Sequence, residues 1–289
     1  ARHRSVAVAF FDVEMEVTPP KYVEADTTLA GKVTANLRLV SVAESSRVAI
    51  HVHSDKKLSK AVCTIEKRDY AEVMREVGAR YPFAGYGRYF QEWLLSPELG
   101  PYNSYGNGGA MRVSPIGFAA CSEREALAEA ERCAAPTHNH PEGVKGAQAV
   151  ALAVFLARTR APKSAIRSAI ASRFGYDLDR TVASIRPHYS FDVAAERSGP
   201  EAILCFLDGD DFESAVRNAV SLGGDAATMA CIAGGVAEAF WGGVPAAIVE
   251  EVRSRLPEEF IDVLDRFDSR YPPAAAPRRG SENPVRDPD

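Results

Sequence analysis

The sequence predicts a mainly α-helical protein. Three observations predict it. From Asp69 to Phe267, apolar residues recur at helical spacing in one segment after another. Pro162, Pro200, Pro245 and Pro257 stand near the starts of those segments, and Gly175, Gly223 and Gly242 near their ends. The stretch 223–242, GGDAATMACIAGGVAEAFWG, reads as a helix apolar enough to lie at the centre of the protein. Met229, Ile232, Val236 and Phe240 form its stripe, and Ala230, Ala233, Gly234 and Ala237 let neighbouring helices come close. Asp225 stands at its N-terminus, where a carboxylate either caps free N–H groups or binds a metal or polar ligand.

The totals exclude several classes of partner. Lys and Arg number 34 against 39 Asp and Glu, a formal charge of −5, so no electrostatic case exists for nucleic acid. Hydrophobic residues at 46% and charged residues at 25% describe an ordinary globular chain. No apolar run is long enough to span a membrane. The opening ARHRSVAVAFFDVEMEV has a basic start, but its short apolar run meets Asp12 and Glu14 too soon for a signal peptide. The five cysteines, Cys63, Cys121, Cys133, Cys205 and Cys231, are odd in number and form no CxxC pair. They read as reduced, mostly buried thiols of a cytoplasmic protein.

Residues 1–68 form an atypical N-terminal region, expected to pack on the main domain. Val13, Met15 and Val17 alternate with Glu14 and Glu16, which predicts a short strand ending at Pro19–Pro20. Leu29, Val33, Leu37 and Val40 make a helical face that Asp26 is placed to cap. Val48, Ile50 and Val52 alternate around His51, with His53 after them. Leu58, Ala61, Val62 and Ile65 make another helical face, preceded by Ser54 and Asp55. Two architectures stay open for this region: mixed α and β, or helices with extended connections.

A helical domain follows over 69–271. Its first helix covers 70–78, with Val73, Met74 and Val77 inward. Residues 81–111 are a Gly-, Tyr- and Asn-rich stretch around a short helix at 88–95, and a connection of that length is usually functional. Helices are predicted at 123–133, 142–160, 163–173, 177–185, 200–207 and 211–222. After the Asp225 helix come 246–256 and 258–268. From Pro272 a proline-rich polar tail, 272–289, reads as disordered.

Two stretches carry chemistry besides Asp225. In YNSYGNGGAMRVSPIG (102–117), Gly106, Gly108 and Gly109 free the backbone for close approach to a ligand, and Asn107 tolerates unusual dihedrals. Arg112 supplies a fork for an anion. A purely structural loop is the competing reading. In THNHPEG (137–143), His138 and His140 precede a helix starting near Pro141. No further Cys or His stands at zinc-ligand spacing, so both read as caps and hydrogen-bond anchors at a pocket mouth.

Together these stretches resemble the ADP-ribosylglycohydrolase family. The matching segments are YPFAGYG (81–87), YNSYGNGGAMRVSPIG (102–117), THNHPEGVKGAQA (137–149) and SLGGDAATMACIAGGVAEAFWG (221–242), in that order. The resemblance implies an all-helical orthogonal bundle. It also implies a cleft where two Mg²⁺ ions lie between a TDD-type motif near the N-terminus and a D-x-D-T motif near the C-terminus. The glycine-rich loop and the THxHP stretch would line an ADP-ribose pocket, making Asn107, Gly108, Gly109, Arg112, His138 and His140 its ligand-binding residues. Such ions orient ribose hydroxyls and stabilise charge as the glycosidic bond breaks, while a carboxylate activates water.

The chain departs from that pattern at both metal motifs. The C-terminal one reads Asp225–Ala226–Ala227–Thr228, so a methyl group stands in place of the second carboxylate. The N-terminal one is either Ala25–Asp26–Thr27–Thr28 or Ser54–Asp55–Lys56–Lys57. The first is preferred for its Thr-Thr-helix pattern, although it requires a long insertion; the second sets an ammonium where a cation should sit. Glu14 or Glu16 would stand in for a missing glutamate. Two carboxylates can hold one Mg²⁺ that keeps its waters, but not two ions. The expected catalytic residues are therefore Asp26 and Asp225. The expected metal ligands are Asp26, Asp225 and Thr228, with Ser54 and Asp55 as alternatives, for at most one Mg²⁺.

The resemblance implies a hydrolase that cleaves an N-glycosidic ADP-ribosyl bond, with a depleted magnesium site. The alternative is an inactive relative that binds ADP-ribose or a nucleotide; a third reading is altered chemistry on a small molecule through Lys56 or a histidine. Expected partners are ADP-ribose, an ADP-ribosylated protein or a nucleotide-sugar. Trp93 and Trp241 read as core or pocket wall, Asp208, Asp210 and Asp211 as a turn and cap, His188 as surface and Arg186 as structural.

Overall fold

Side-chain caps set six of the helix starts in the computed structural model, which describes residues 13–14, 49–50, 61–82 and 86–272. Residues 61–66 are helical, and Asp69 then opens α1 (Tyr70–Arg80) by accepting the N–H groups of Ala71 and Glu72. Next come α2 (Arg88–Leu95), the single turn α3 (Gly108–Met111) and α4 (Ser114–Ala119). Ser122 caps α5 (Glu123–Ala134), and His140 caps α6 (Pro141–Arg158), whose proline occupies the first turn, where no N–H is missed. Helices α7 (Lys163–Phe174), α8 (Val182–Ile185) and α9 (Ala195–Leu207) follow. Asp211 and Ser214 make a reciprocal capping box on α10 (Phe212–Ser221). The carboxylate of Asp225 caps α11 (Ala226–Trp241), which ends at Gly242 with φ +77°. Helices α12 (Ala246–Arg255) and α13 (Glu258–Arg270) complete the body.

The core lies around α6 and α11. Most of α6 from Gly143 to Ala157, and all of α11 from Thr228 to Ala239, is buried. Both helices are rich in alanine and glycine, so their backbones can lie close to α5, α9 and α10 while larger side chains fill the gaps. Leu152, Ile203, Phe206 and Ile232 are among these fully buried side chains; each such side chain contributes about 1.5–3 kcal/mol by leaving water. A satellite cluster of Met74, Phe90, Trp93 and Leu94 joins α1 to α2, and the Arg75 guanidinium lies 4.0 Å from the Trp93 ring centre. Trp241 packs edge-on against Phe206 and Phe240, with the Lys163 ammonium over its ring.

Two helix boundaries differ from the sequence reading. The segment expected at 177–185 is helical only over α8. The Asp177 side chain accepts the N–H of Asp179, and Asp208 Oδ2 accepts that of Val182 at 2.6 Å, so the helix starts after Thr181. Helix α9 starts at Ala195 rather than at Pro200, which sits inside it. Lacking an N–H, Pro200 forgoes one intrahelical bond. The turn before α9 is fixed instead by Asp192, which accepts the Ala194 N–H at 2.8 Å.

Two two-residue strands, Val13–Glu14 and Ala49–Ile50, pair antiparallel with Val13 opposite Ile50. The helical face expected after Asp26 and the expected tail from 273 onward lie outside the described residues. Cys63, Cys133, Cys205 and Cys231 are buried and Cys121 is exposed; all five are free thiols. Asp208 and Asp211 act in the turn and cap read for them, His188 is exposed, and Arg186 donates to the Ser221 hydroxyl. Among the described residues, no helix is long and apolar enough to cross a membrane.

Candidate functional site

The glycine-rich loop is clamped from both sides. Asn103 N–H donates to Asn139 Oδ1 at 2.8 Å, and Ser104 N–H to the Thr137 carbonyl at 3.2 Å. On the other side, Asn107 N–H donates to the Val193 carbonyl at 2.8 Å, and Ala195 N–H to that of Tyr105 at 3.0 Å. Residues 102–107 are thus stitched to the turn before α6 and to the segment entering α9.

The close approach that the glycines permit is to His138. A Cβ on Gly108 would lie 3.0 Å from His138 Nε2, and one on Gly106 3.7 Å from it. A Cβ on Gly143 would lie 2.6 Å from the Ser104 carbonyl oxygen and 3.0 Å from that of His138. The loop therefore wraps an imidazole. Its glycines were expected to make room for a ligand, but Gly108 and Gly109 meet the second motif itself first.

Arg112 also differs from expectation. It is 0% exposed, so its fork does not open to an anion from solvent. Its Nη2 donates to the Thr137 hydroxyl and, at 3.1 Å, to His138 Nδ1. Thr137 Oγ1 also lies 2.8 Å from that nitrogen. Burial pulls the Arg112 pKa below its ordinary value, while Cys133 and Tyr102 nearby oppose that pull. Burial pushes the Tyr102 phenol upward. His140 takes the cap position: its Nδ1 accepts the Glu142 N–H at 3.2 Å, and its ring meets Tyr105 edge-on at 5.8 Å.

Asp225 does two jobs. Oδ1 accepts the Thr228 N–H at 3.4 Å as the α11 cap, and Oδ2 accepts from Asn107 Nδ2 at 2.9 Å. The structure thus brings Asn107, Gly108 and Asp225 together, with His138 beneath the loop. Thr228 is buried, and its hydroxyl donates to Met111 Sδ at 3.4 Å. Ala227 is half-buried in the first turn of the same helix. Asp26, Ser54, Asp55, Lys56 and Glu16 lie outside the described residues, and of Glu14 only the strand backbone is described.

A metal fits these groups poorly. Among the described residues no three His, Cys, Asp or Glu side chains converge as a metal site. One Asp225 oxygen is taken by Asn107, Ala227 has no donor, and the Thr228 hydroxyl faces sulfur. The described residues alone do not make the oxygen cage of an Mg²⁺ pair.

Sequence reasoning missed Tyr189. Its ring lies so close to Gly224 that a Cβ there would be 2.4 Å from Cε1, and its hydroxyl donates to Met229 Sδ at 3.2 Å. Burial raises the pKa of this phenol, with a smaller push from Glu201. A cavity of about 510 Å³ opens beside it, lined by Arg180, His188, Arg197 and Glu201 among others. Glu201 is held upward by burial although Arg180 donates to it at 2.9 Å. Nothing local in RPHYSFDV marks Tyr189; only the tertiary contact does.

An all-helical body with a glycine-rich loop tied to a carboxylate on its central helix has counterparts among known proteins. The chain belongs to the ADP-ribosylglycohydrolase family, whose model matches residues 36–275. It is 30% identical over 239 residues to ADP-ribosylhydrolase ARH3 of Danio rerio, covering 62% of this chain and 65% of that protein. The Mus musculus ARH3 is 31% identical over 197 residues, covering 52% of this chain and 53% of its own length. The Homo sapiens protein is 30% identical over 199 residues, at 52% and 54%. The chain thus spans between about half and two thirds of the length of these relatives. A solved chain described as an "ADP-ribosylglycohydrolase-related protein complex" superposes with a TM-score of 0.59 at 24% identity, covering 75% of this chain and 80% of that one, and so shares its fold.

Proposed function

We propose that the chain is an ADP-ribosylglycohydrolase-like hydrolase that releases ADP-ribose from an acceptor, the N-glycosidic bond to arginine being the first substrate to test. The observation that carries the reading is the 2.9 Å bond from Asn107 to Asp225, which joins the glycine-rich loop to the carboxylate of the C-terminal motif. With Oδ2 fixed by the amide, Oδ1 keeps lone pairs for a ribose hydroxyl or a water. Asp225 would take a proton from that water as its oxygen bonds to the anomeric carbon. The bond from that carbon to the acceptor breaks, its electron pair goes to the leaving nitrogen, and that nitrogen takes up the proton Asp225 accepted from the water. Asp26 is the second proposed catalytic carboxylate. At most one Mg²⁺ belongs to this reading: Asp26, or Ser54 and Asp55, would supply oxygens beside Asp225, and Thr228 would join only by turning its hydroxyl away from Met111.

The alternative, a module that holds ADP-ribose without turnover, is favoured by one residue. Ala227 removes a carboxylate from the first turn of α11, and with it the donor that a second ion would need. One experiment separates the two. The protein is incubated with ADP-ribosyl-arginine and with an O-linked ADP-ribosyl peptide, with Mg²⁺ or with chelator, and released ADP-ribose is measured by chromatography. Release supports the hydrolase. Binding of ADP-ribose by calorimetry with no release supports the module. Neither release nor binding rejects both.

A further inference from the structure

The buried contacts of His138 determine which of its nitrogens carries the proton. We propose that Arg112 is a positioning residue that holds His138 as the neutral tautomer protonated on Nε2, a fixed donor beneath the glycine-rich loop. The argument is one of donor counting. A guanidinium has five N–H donors and no acceptor, and it keeps its charge in proteins. Arg112 Nη2 lies 3.1 Å from Nδ1 and also bonds Thr137 Oγ1, so its two hydrogens are assigned to those two atoms. Nδ1 must then accept, and the ring proton sits on Nε2. The Thr137 hydroxyl accepts from Arg112 and has one hydrogen of its own, shared between the 2.8 Å contact to Nδ1 and the Tyr102 phenol, so it is the guanidinium that makes Nδ1 an acceptor. A proton on Nδ1 would face the guanidinium hydrogens in a site where Arg112 is fully buried.

The charged and titratable groups round the imidazole agree with this. Tyr102 faces it at 6.3 Å between ring centres, and its burial keeps that phenol neutral. Cys133 also lies beside the guanidinium. Asp225 bonds Asn107 on the loop above. The Nε2 edge lies toward Gly106 and Gly108, where a Cβ would be 3.7 and 3.0 Å from it, beneath the backbone that carries Asn107. For the proposed hydrolysis the consequence is a division of labour: His138 donates and does not accept a proton, which leaves proton transfer to Asp225. The tautomer itself stands whether or not the chain turns over.

Protein labelled with ¹⁵N in its histidines, the signal of His138 being identified by its loss in His138→Gln, tests the assignment by NMR without any substrate. The expected spectrum shows one neutral imidazole, favouring Nε2–H by about tenfold or more, the order of a hydrogen bond from a charged donor. It stays neutral from about pH 5.5 to 8, where free imidazoles titrate. In Arg112→Met that signal begins to titrate or to exchange between tautomers, and Arg112→Lys, which keeps one donor, restores part of the preference. An imidazolium or an Nδ1–H signal at neutral pH in the unaltered protein overturns the proposal, as does an unchanged signal in Arg112→Met. If the Met variant does not fold, the unaltered protein's spectrum decides alone.

Discussion

Asn107 Nδ2 and Asp225 Oδ2 meet at 2.9 Å although 118 residues separate them in the chain. The bond makes one unit of two motifs. It also explains why Asp225 sits where it does. Its other oxygen holds the Thr228 N–H at only 3.4 Å, so the cap alone would orient the carboxylate weakly. Replacing Asn107 by Leu should therefore leave Asp225 without its better donor. A hydrogen bond to a charged group is worth about 1.5–3 kcal/mol, which corresponds to tenfold or more in affinity. Calorimetry with ADP-ribose should show that loss. Asn107→Asp, which sets two carboxylates together, should lose more, and more steeply at low salt. Unchanged affinity in both variants would show that the tie is structural only.

The packing of the loop on His138 predicts unequal costs for glycine substitutions. Gly143→Ala sets a methyl group 2.6 Å from the Ser104 carbonyl, a backbone atom that cannot swing aside. Gly108→Ala sets one 3.0 Å from His138 Nε2. Overpacking of this kind costs about 1–3 kcal/mol. Gly199, inside α9, has nothing within 4 Å of its virtual Cβ beyond its chain neighbours, but the Pro200 ring that follows opposes a Cβ on a helical residue before it, so Gly199→Ala should be near neutral, the gain in helix propensity being offset. Denaturant midpoints of the three variants measure all of this. A Gly143→Ala no more destabilised than Gly199→Ala would contradict the packing described.

Asp211 supplies a pH-dependent term. Hydrogen bonds from the Ser214 N–H and hydroxyl hold its carboxyl below the ordinary value. A group with a depressed folded pKa stabilises above its unfolded pKa, about 3.9, and that contribution is lost as pH falls through the folded value. Asp211→Ala should cost about 1 kcal/mol at pH 7, and the difference from the unaltered protein should narrow below about pH 4. Asp211→Asn should retain most of the stability, because an amide oxygen also caps. Thermal melts across pH check the sign.

Much of the fold was legible because its signals are local. Asp69, Ser122 and Asp211 cap helices through their own next residues, and the apolar spacing of α11 needs no partner to be read. Pro200 misled because a proline usually marks a helix start, whereas here Asp192 organises the turn before Ala195. The site was legible only as pieces. Arg112 in a glycine-rich loop looks like an open anion fork. Its partners Thr137 and His138 lie 25 and 26 positions away, and only their packing reveals that the guanidinium is internal. Tyr189 and Gly224 meet in the same non-local way.

Ala227 offers the sharpest functional test. It is half-buried in the first turn of α11, two residues after Asp225. Ala227→Asp adds a carboxylate at a helix N-terminus, where negative charge is favoured by about 0.3–1 kcal/mol, so the variant should fold at least as well as the unaltered chain. Mg²⁺ needs several hard oxygen ligands, and each added carboxylate offsets part of the ion's charge. If the depletion at this position limits metal binding, the variant should bind Mg²⁺ about tenfold more tightly in calorimetric titration, on the order of one favourable charge pair at an exposed site. Any ADP-ribose release should rise with it and be abolished by chelator. Equal Mg²⁺ affinity in the two proteins would mean that the missing oxygen at Ala227 is not what sets metal binding.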